Sequence, residues 1–308
     1  MRSTLKWGLV LAAAAALAAA SARDAHGAFE DIEVSPRVRA LGSSWAALRA
    51  DDYAVFHNPA ALAWAGRPAG AASYLRPFGY DFSSQSTFAG SITLPRGAGG
   101  LGFGVRHFGV NYLGQSLTSE TTVSLAQGFH LLRDQQSELA VGWALSMYAL
   151  DYGLSTEVDA GSGVTRIDPG SATSVGVNVG AVATVRDRTR VGFHVLNLNN
   201  PNIGKRDKEE LHRRVSVGVS YAPYPGVETV LDIANELGQQ MQYRGGAEFQ
   251  VTDFLWLRTG IHTEPSIFTA GFGLRRAGMS IEYSFSTGGG VLGDTHHIGI
   301  GYALPEVK

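Results

Sequence analysis

The sequence predicts an all-β protein: a transmembrane antiparallel β-barrel of about 14 strands with an N-terminal plug, or hatch, of short helices and loops. Three observations carry that expectation. The 308 residues include 39 glycines and only 17% charged residues, against about 25% charge in an ordinary soluble domain. From residue 69 onward apolar and polar positions alternate with period two. The links between the alternating segments are tight on one side and often long on the other, as in outer-membrane barrels.

Composition removes several other classes. With 44% apolar residues the chain can bury enough surface to fold. No cysteine is present, which rules out a disulfide framework and thiolate chemistry. A net charge of -2 offers no basic footprint, so no nucleic-acid partner is expected. Beyond the N-terminus no run approaches ~18 apolar residues, which excludes a helical membrane protein.

Residues 1–27 read as a signal peptide. Arg2 and Lys6 precede an apolar stretch from Trp7 to Ala20, and Ala20-Ser21-Ala22 and Ala25-His26-Gly27 both have the small-x-small form of a cleavage site. The expected location is the outer membrane of a Gram-negative bacterium, as an integral protein among its lipids. Residues 28–68 form the expected plug. Val38, Leu41, Trp45 and Leu48 recur at spacings of three and four, which places them on one helix face. Pro59 can open a short helix that Asn58 caps. A fourteen-stranded barrel is too wide for its own side chains to fill, so a plug is physically required.

Residues 69–308 form the expected barrel, with strands near 69–75, 85–94, 99–109, 120–130, 137–152, 172–186, 189–197, 212–222, 226–235, 240–251, 253–262, 266–276, 277–286 and 294–304. Most have the length that a tilted strand needs to cross a bilayer. Long links fall at 76–84, 110–119, 153–171, 198–211 and 287–293, which puts both mature termini at the short-turn, periplasmic end. Alternation assigns Arg106, Arg214, Asp232, Arg244, Glu248, Arg258, Arg275 and Glu282 to the lumen. It assigns Val215, Val217, Val219, Ile281, Tyr283, Phe285, Ile298 and Ile300 to lipid. Tyr112, Tyr148, Tyr152, Tyr221, Trp256, Tyr283 and Tyr302 fall near segment ends, as girdle residues do.

Arg39-Ala40-Leu41-Gly42, Ala46-Ala47-Leu48 and the run from Ala50 through Asn58-Pro59-Ala60 to Leu62 resemble the start of the PorV/PorQ family, outer-membrane barrels related to the FadL-like long-chain fatty-acid transporters. Gly192 to Leu198, Leu255 to Gly260 and Leu292 to His297 extend the resemblance over nearly all of the mature chain. The tail Pro305-Glu306-Val307-Lys308 departs from the terminal aromatic common in such barrels. The resemblance implies fourteen strands and a hatch motif at Asn58, Pro59 and Ala60. It also implies one of two roles. As in FadL-like relatives, the barrel could pass small hydrophobic compounds, with Trp45, Leu48, Tyr53, Phe56, Leu62 and Trp64 lining an apolar ligand site. As in PorV-like proteins, it could instead bind exported or surface proteins during type IX secretion. A purely structural barrel is the third reading.

No enzyme, cofactor or metal is expected. The chain has no His-Glu-x-x-His, Gly-x-Ser-x-Gly or Walker sequence. His296 and His297 are adjacent on a strand and point to opposite faces. Asp51-Asp52 lacks the alternating oxygen ligands of a calcium loop.

Overall fold

The structure, a computed structural model, describes residues 29, 32–49, 51–153, 155–159, 163–167, 170–204, 209–237, 239–288 and 293–305. The expected signal peptide lies outside them. In chain order the strands are β1 (Ala69–Arg76), β2 (Ser83–Thr93), β3 (Gly100–Tyr112), β4 (Gln115–Arg133), β5 (Ser137–Tyr152), β6 (Ser155–Asp159), β7 (Gly163–Ile167), β8 (Gly170–Val185), β9 (Thr189–Leu196), β10 (Arg214–Tyr221), β11 (Val227–Glu236), β12 (Gln242–Gln250), β13 (Leu255–His262), β14 (Ile267–Arg276), β15 (Met279–Ser286) and β16 (Thr295–Ala303). Fourteen of them form a closed antiparallel barrel; β6 and β7 pair separately as a hairpin between β5 and β8. Closure is made by β1 on β16, in register from Ala69↔Ala303 to Arg76↔His296.

The alternation in the sequence is the alternation of the wall. Ser216, Asp232, Arg244, Glu248, Arg258 and Glu282 are buried inside, while Val219, Ile281, Ile298 and Ile300 are exposed on the outside. An Arg or Lys at the lipid-facing midplane costs about 2–4 kcal/mol, so the charges belong to the lumen. Two expectations change here. Tyr148 is 4% exposed and turns into the lumen rather than joining a girdle. Tyr152 packs with it against Leu150, Ile203 and Leu211, because the even residues of β5 face inward. The strand expected at 120–130 extends over Gln115–Arg133, since its ladder with β3 and β5 continues where the outward row turns polar.

Inside sits the plug. Its described residues include an α-helix, α1 (Pro36–Ala40), and a 3-10 helix at Pro59–Trp64. Val38, Leu41, Trp45 and Leu48 are buried in one cluster with Val230, but they do not share a helix face. The helix stops at Ala40 because Gly42 and Ser43 take φ of 67° and 60°, and irregular backbone carries the rest. The wall meets the plug mostly with small residues. Ala71, Ala89, Ala126 and Ala144 face Val34, Tyr53, Val55 and Leu62. A Cβ added at Gly192 would lie 1.9 Å from the Ala46 carbonyl oxygen. The glycine-rich inner face is therefore the imprint of the plug backbone. Phe29 stacks edge-on against Tyr148 with ring centroids 5.0 Å apart, at the long-loop end. The expectation of a terminus at the short-turn end holds for the end of β16, and the expected mature N-terminus lies outside the described residues.

Val217→Arg, on the lipid face, is expected to destabilise the barrel by about 2–4 kcal/mol in equilibrium urea unfolding from lipid vesicles. An unchanged midpoint would place that face in the lumen.

Candidate functional site

The plug and the cavity above it are the site, and the plug is held by local sequence first. Ser35 caps α1 by accepting from the Val38 amide at 3.3 Å. Asn58 caps the 3-10 helix, its Oδ1 accepting from the Ala60 amide at 3.1 Å. The Asn58 Nδ2 donates to the Ala46 carbonyl at 2.7 Å and approaches the wall carbonyls of Ala181 and Phe193 at 3.3 Å. Asn58 thereby joins both halves of the plug to β8 and β9. Pro59 and Ala60 abut Gly142 so closely that a Cβ there would sit 2.4 Å from the Pro59 carbonyl carbon.

A chain of alternating charges fixes the plug to the wall between β9 and β15. Arg190 on β9 bonds Glu228 on β11, which lies 3.8 Å from the plug's Arg37. Arg37 makes a two-pronged bond to Glu248 on β12, with Nε and Nη2 each 2.9 Å from a carboxylate oxygen. Glu248 also accepts from Arg258 on β13, which reaches Glu282 on β15. Arg275 on β14 closes the series at 2.9 Å from Glu282. Asp232 accepts two plug amides, from Trp45 at 2.6 Å and Ala46 at 2.8 Å. Arg244 donates to the Ser43 carbonyl at 3.2 Å, and Arg214 bonds Glu236. Arg106 on β3 donates to Thr122 Oγ1 at 3.3 Å.

Sequence reasoning did not identify Arg37, Arg190 or Glu228, although Arg190 and Glu228 keep the inward parity of their strands. It also missed a second buried set. His57 lies between Asp51, at its Nδ1, and Glu33, whose Oε1 is 2.8 Å from Nε2. Burial opposes the imidazolium, but the two carboxylates outweigh it and raise the His57 pKa to about 10. Burial likewise opposes charge on Asp51, and His57 nonetheless holds that carboxyl below its ordinary range. No sequence spacing announces the trio, because Glu33 and His57 are 24 residues apart.

The six side chains expected to form one apolar ligand site are not brought together. Trp45 and Phe56 border a cavity of about 730 Å³ at the long-loop side of the plug. Leu48 belongs to the cluster around Val38, while Tyr53 and Leu62 pack against the opposite wall. Trp64 lies by Ala60 and donates to Glu138 at 2.8 Å. The cavity mixes apolar Phe108 and Leu196 with Arg106, Arg214, Arg244 and Glu236. His296 bonds the Tyr283 hydroxyl on the outside at 2.7 Å, while His297 is buried. Among the described residues no cluster suits a metal ion.

A closed fourteen-stranded barrel with an internal N-terminal plug defines the class: an outer-membrane-type barrel with a hatch. The chain belongs to the type IX secretion system membrane protein PorP/SprF family, whose profile matches residues 85–303. This is a different family name from PorV/PorQ, which segments over nearly all of the mature chain resemble. No curated protein matches the sequence. In structure the chain is similar to the toluene transporter TbuX of Ralstonia pickettii, with TM-score 0.61 and 14% identity over 88% of this chain and 98% of the other. It is similar to the CymD monoaromatic hydrocarbon channel at TM-score 0.66 and 11% identity, over 91% and 100%. The P. putida toluene transporter TodX gives 0.59 and 11%, over 88% and 98%. At these identities the likeness establishes the FadL-like fold.

Two outcomes are expected at the plug. Glu248→Ala removes the carboxylate shared by the buried Arg37 and Arg258, leaving Glu228 and Glu282 to balance them, at a cost of about 3–5 kcal/mol, read as faster amide exchange across residues 37–48. The second concerns pH. His57 has a pKa of about 10 when folded and 6.5 as the reference. Its stabilisation is therefore complete below 6.5 and lost as pH rises through about 10. Trp45 stacks on His57 at 5.4 Å, so its fluorescence reports the loosening. His57→Gln should abolish that pH dependence.

Proposed function

We propose that the protein is a docking barrel in the outer membrane of a Gram-negative bacterium, which holds exported proteins at the cell surface during type IX secretion. One observation carries the reading. The lumen is blocked by a plug bonded to several strands, while β4, β5 and β8 continue beyond the apolar band at the long-loop end. A blocked lumen suits a protein that works at its outer rim, and membership of the PorP/SprF family agrees with that role. Binding of this kind needs no cofactor and no catalytic step.

A second reading, passive passage of small hydrophobic compounds, draws on the fold shared with TbuX, CymD and TodX and on Trp45 and Phe56 beside the cavity. It requires a route past a plug that the Arg37–Glu248 and Asp232–Trp45 contacts hold in place. The cavity floor also includes His57 and Arg39, which suits an apolar solute poorly.

The two readings separate in one comparison. Cells lacking the protein should lose a set of exported proteins from their surface, measured by protease shaving and mass spectrometry. The purified protein should carry no stoichiometric lipophile. An unchanged surface set together with a bound lipophile would reverse the assignment. Deleting residues 44–64 should raise permeability to small hydrophilic solutes in either case, because it removes the obstruction.

A further inference from the structure

β8 outruns its neighbour. Its ladder with β5 covers Gly170–Val185, whereas its ladder with β9 covers only Val179–Val185. β9 stops where Asn197 adopts a φ of 55°. That turn is fixed by the Asn197 amide donating to Asn178 Oδ1 at 2.9 Å and by the Tyr148 hydroxyl donating to Asn197 Oδ1 at 2.8 Å. Beyond it, the Val177 carbonyl accepts from the Leu198 amide at 2.8 Å. The side-chain amide of Asn199 then takes the place of a partner strand. Its Oδ1 accepts from the Val177 amide at 2.9 Å, and its Nδ2 donates to the Val175 carbonyl at 2.8 Å.

The odd residues of β8 therefore aim their backbone groups at the open side. Alternation extends that row to the Val175 amide and to both groups of Thr173 and Ser171. Among the described residues no ladder or turn bond meets them there. From Thr173 toward Ser171 this edge also lies past the lipid-facing band, whose last apolar row includes Val175. The outward row Val105, Val123, Met147 and Val175 is apolar, while the next row is His107, Thr121, Ala149 and Thr173, followed by Ser119, Asp151 and Ser171. Exposed edges are normally guarded by lysine, proline or a bulge. The stretch Gly170-Ser171-Ala172-Thr173-Ser174-Val175-Gly176 contains no charge and no proline.

We propose that this edge is a docking site for an extended segment of an exported polypeptide, which adds to β8 as an antiparallel strand at Ser171–Val175. The inference deepens the docking reading and rests on it for the origin of the segment. A second copy fits less well. Two barrels inserted the same way in one membrane present β8 in the same direction, which allows only a parallel pair.

The test uses the full chain in detergent micelles and a fluorescent ten-residue peptide of alternating Thr and Val. Saturating peptide should slow exchange of the Ser171, Thr173 and Val175 amides at least tenfold. Thr173→Pro removes an edge-facing N–H without breaking a bond to β5 and should weaken binding at least tenfold. Asn199→Ala frees two further groups and should tighten it. Unprotected amides in the wild-type protein overturn the proposal, even where Thr173→Pro does not insert. Thr173→Cys supplies a unique thiol, since the chain has no cysteine, and a disulfide-linked dimer in cells would make the occupant a second copy and overturn it too. If cells lacking the protein lose surface proteins but the edge amides stay unprotected, docking stands and this edge falls. Protected amides with an unchanged cell surface would remove the docking role instead.

Discussion

A strand edge in hydrocarbon leaves backbone N–H and C=O groups with nothing to bond, at several kcal/mol each. Pairing of β1 with β16 removes that edge, and most other features follow from the closure. Fourteen strands enclose a lumen that strand side chains cannot fill. The N-terminal segment fills it, and the wall must then be thin wherever the plug backbone comes near. Gly142 and Gly192 are thin places of this kind, each within about a bond length or two of plug backbone once a Cβ is imagined there.

Lumen charges would be costly if the plug simply buried them. They are tolerated because each meets an opposite charge or an oriented polar group, such as the Ser43 carbonyl at Arg244 and the Thr122 hydroxyl at Arg106. Arg37 is pivotal in this respect: it stands between Glu228 and Glu248 and couples plug position to the charge balance of β11 and β12. Removing either carboxylate halves the compensation of a buried cation, so the plug is locked by the penalty for uncoupling as much as by the pairs themselves. Asp232 does the same with backbone, accepting two successive plug amides.

The long-loop end is organised differently. There β4, β5 and β8 continue as a wall beyond the apolar band, the β6–β7 hairpin joins β5 to β8, and the cavity opens beside them. The fold shared with hydrocarbon channels does not by itself decide between recognition at this end and passage through the lumen.

The sequence by itself determined the barrel. Strand number, the inward row of Arg214, Asp232, Arg244, Glu248, Arg258 and Glu282, and the cap at Asn58-Pro59 are all local, because period-two alternation and turn chemistry act between near neighbours. Helical spacing misled at Val38 to Leu48, since the plug is shaped by contact with the wall and Gly42 ends the helix early. Tyr148 misled for a related reason: its place near a segment end suggested a girdle, while its parity put it in the lumen. Only the tertiary structure decided which charges pair, that His57 joins Glu33 to Asp51, and that β9 falls short of β8. These are relations between residues far apart in the chain, such as Arg37 and Glu248, separated by 211 positions. Barrel closure and plug packing bring them together, and no local pattern encodes the encounter.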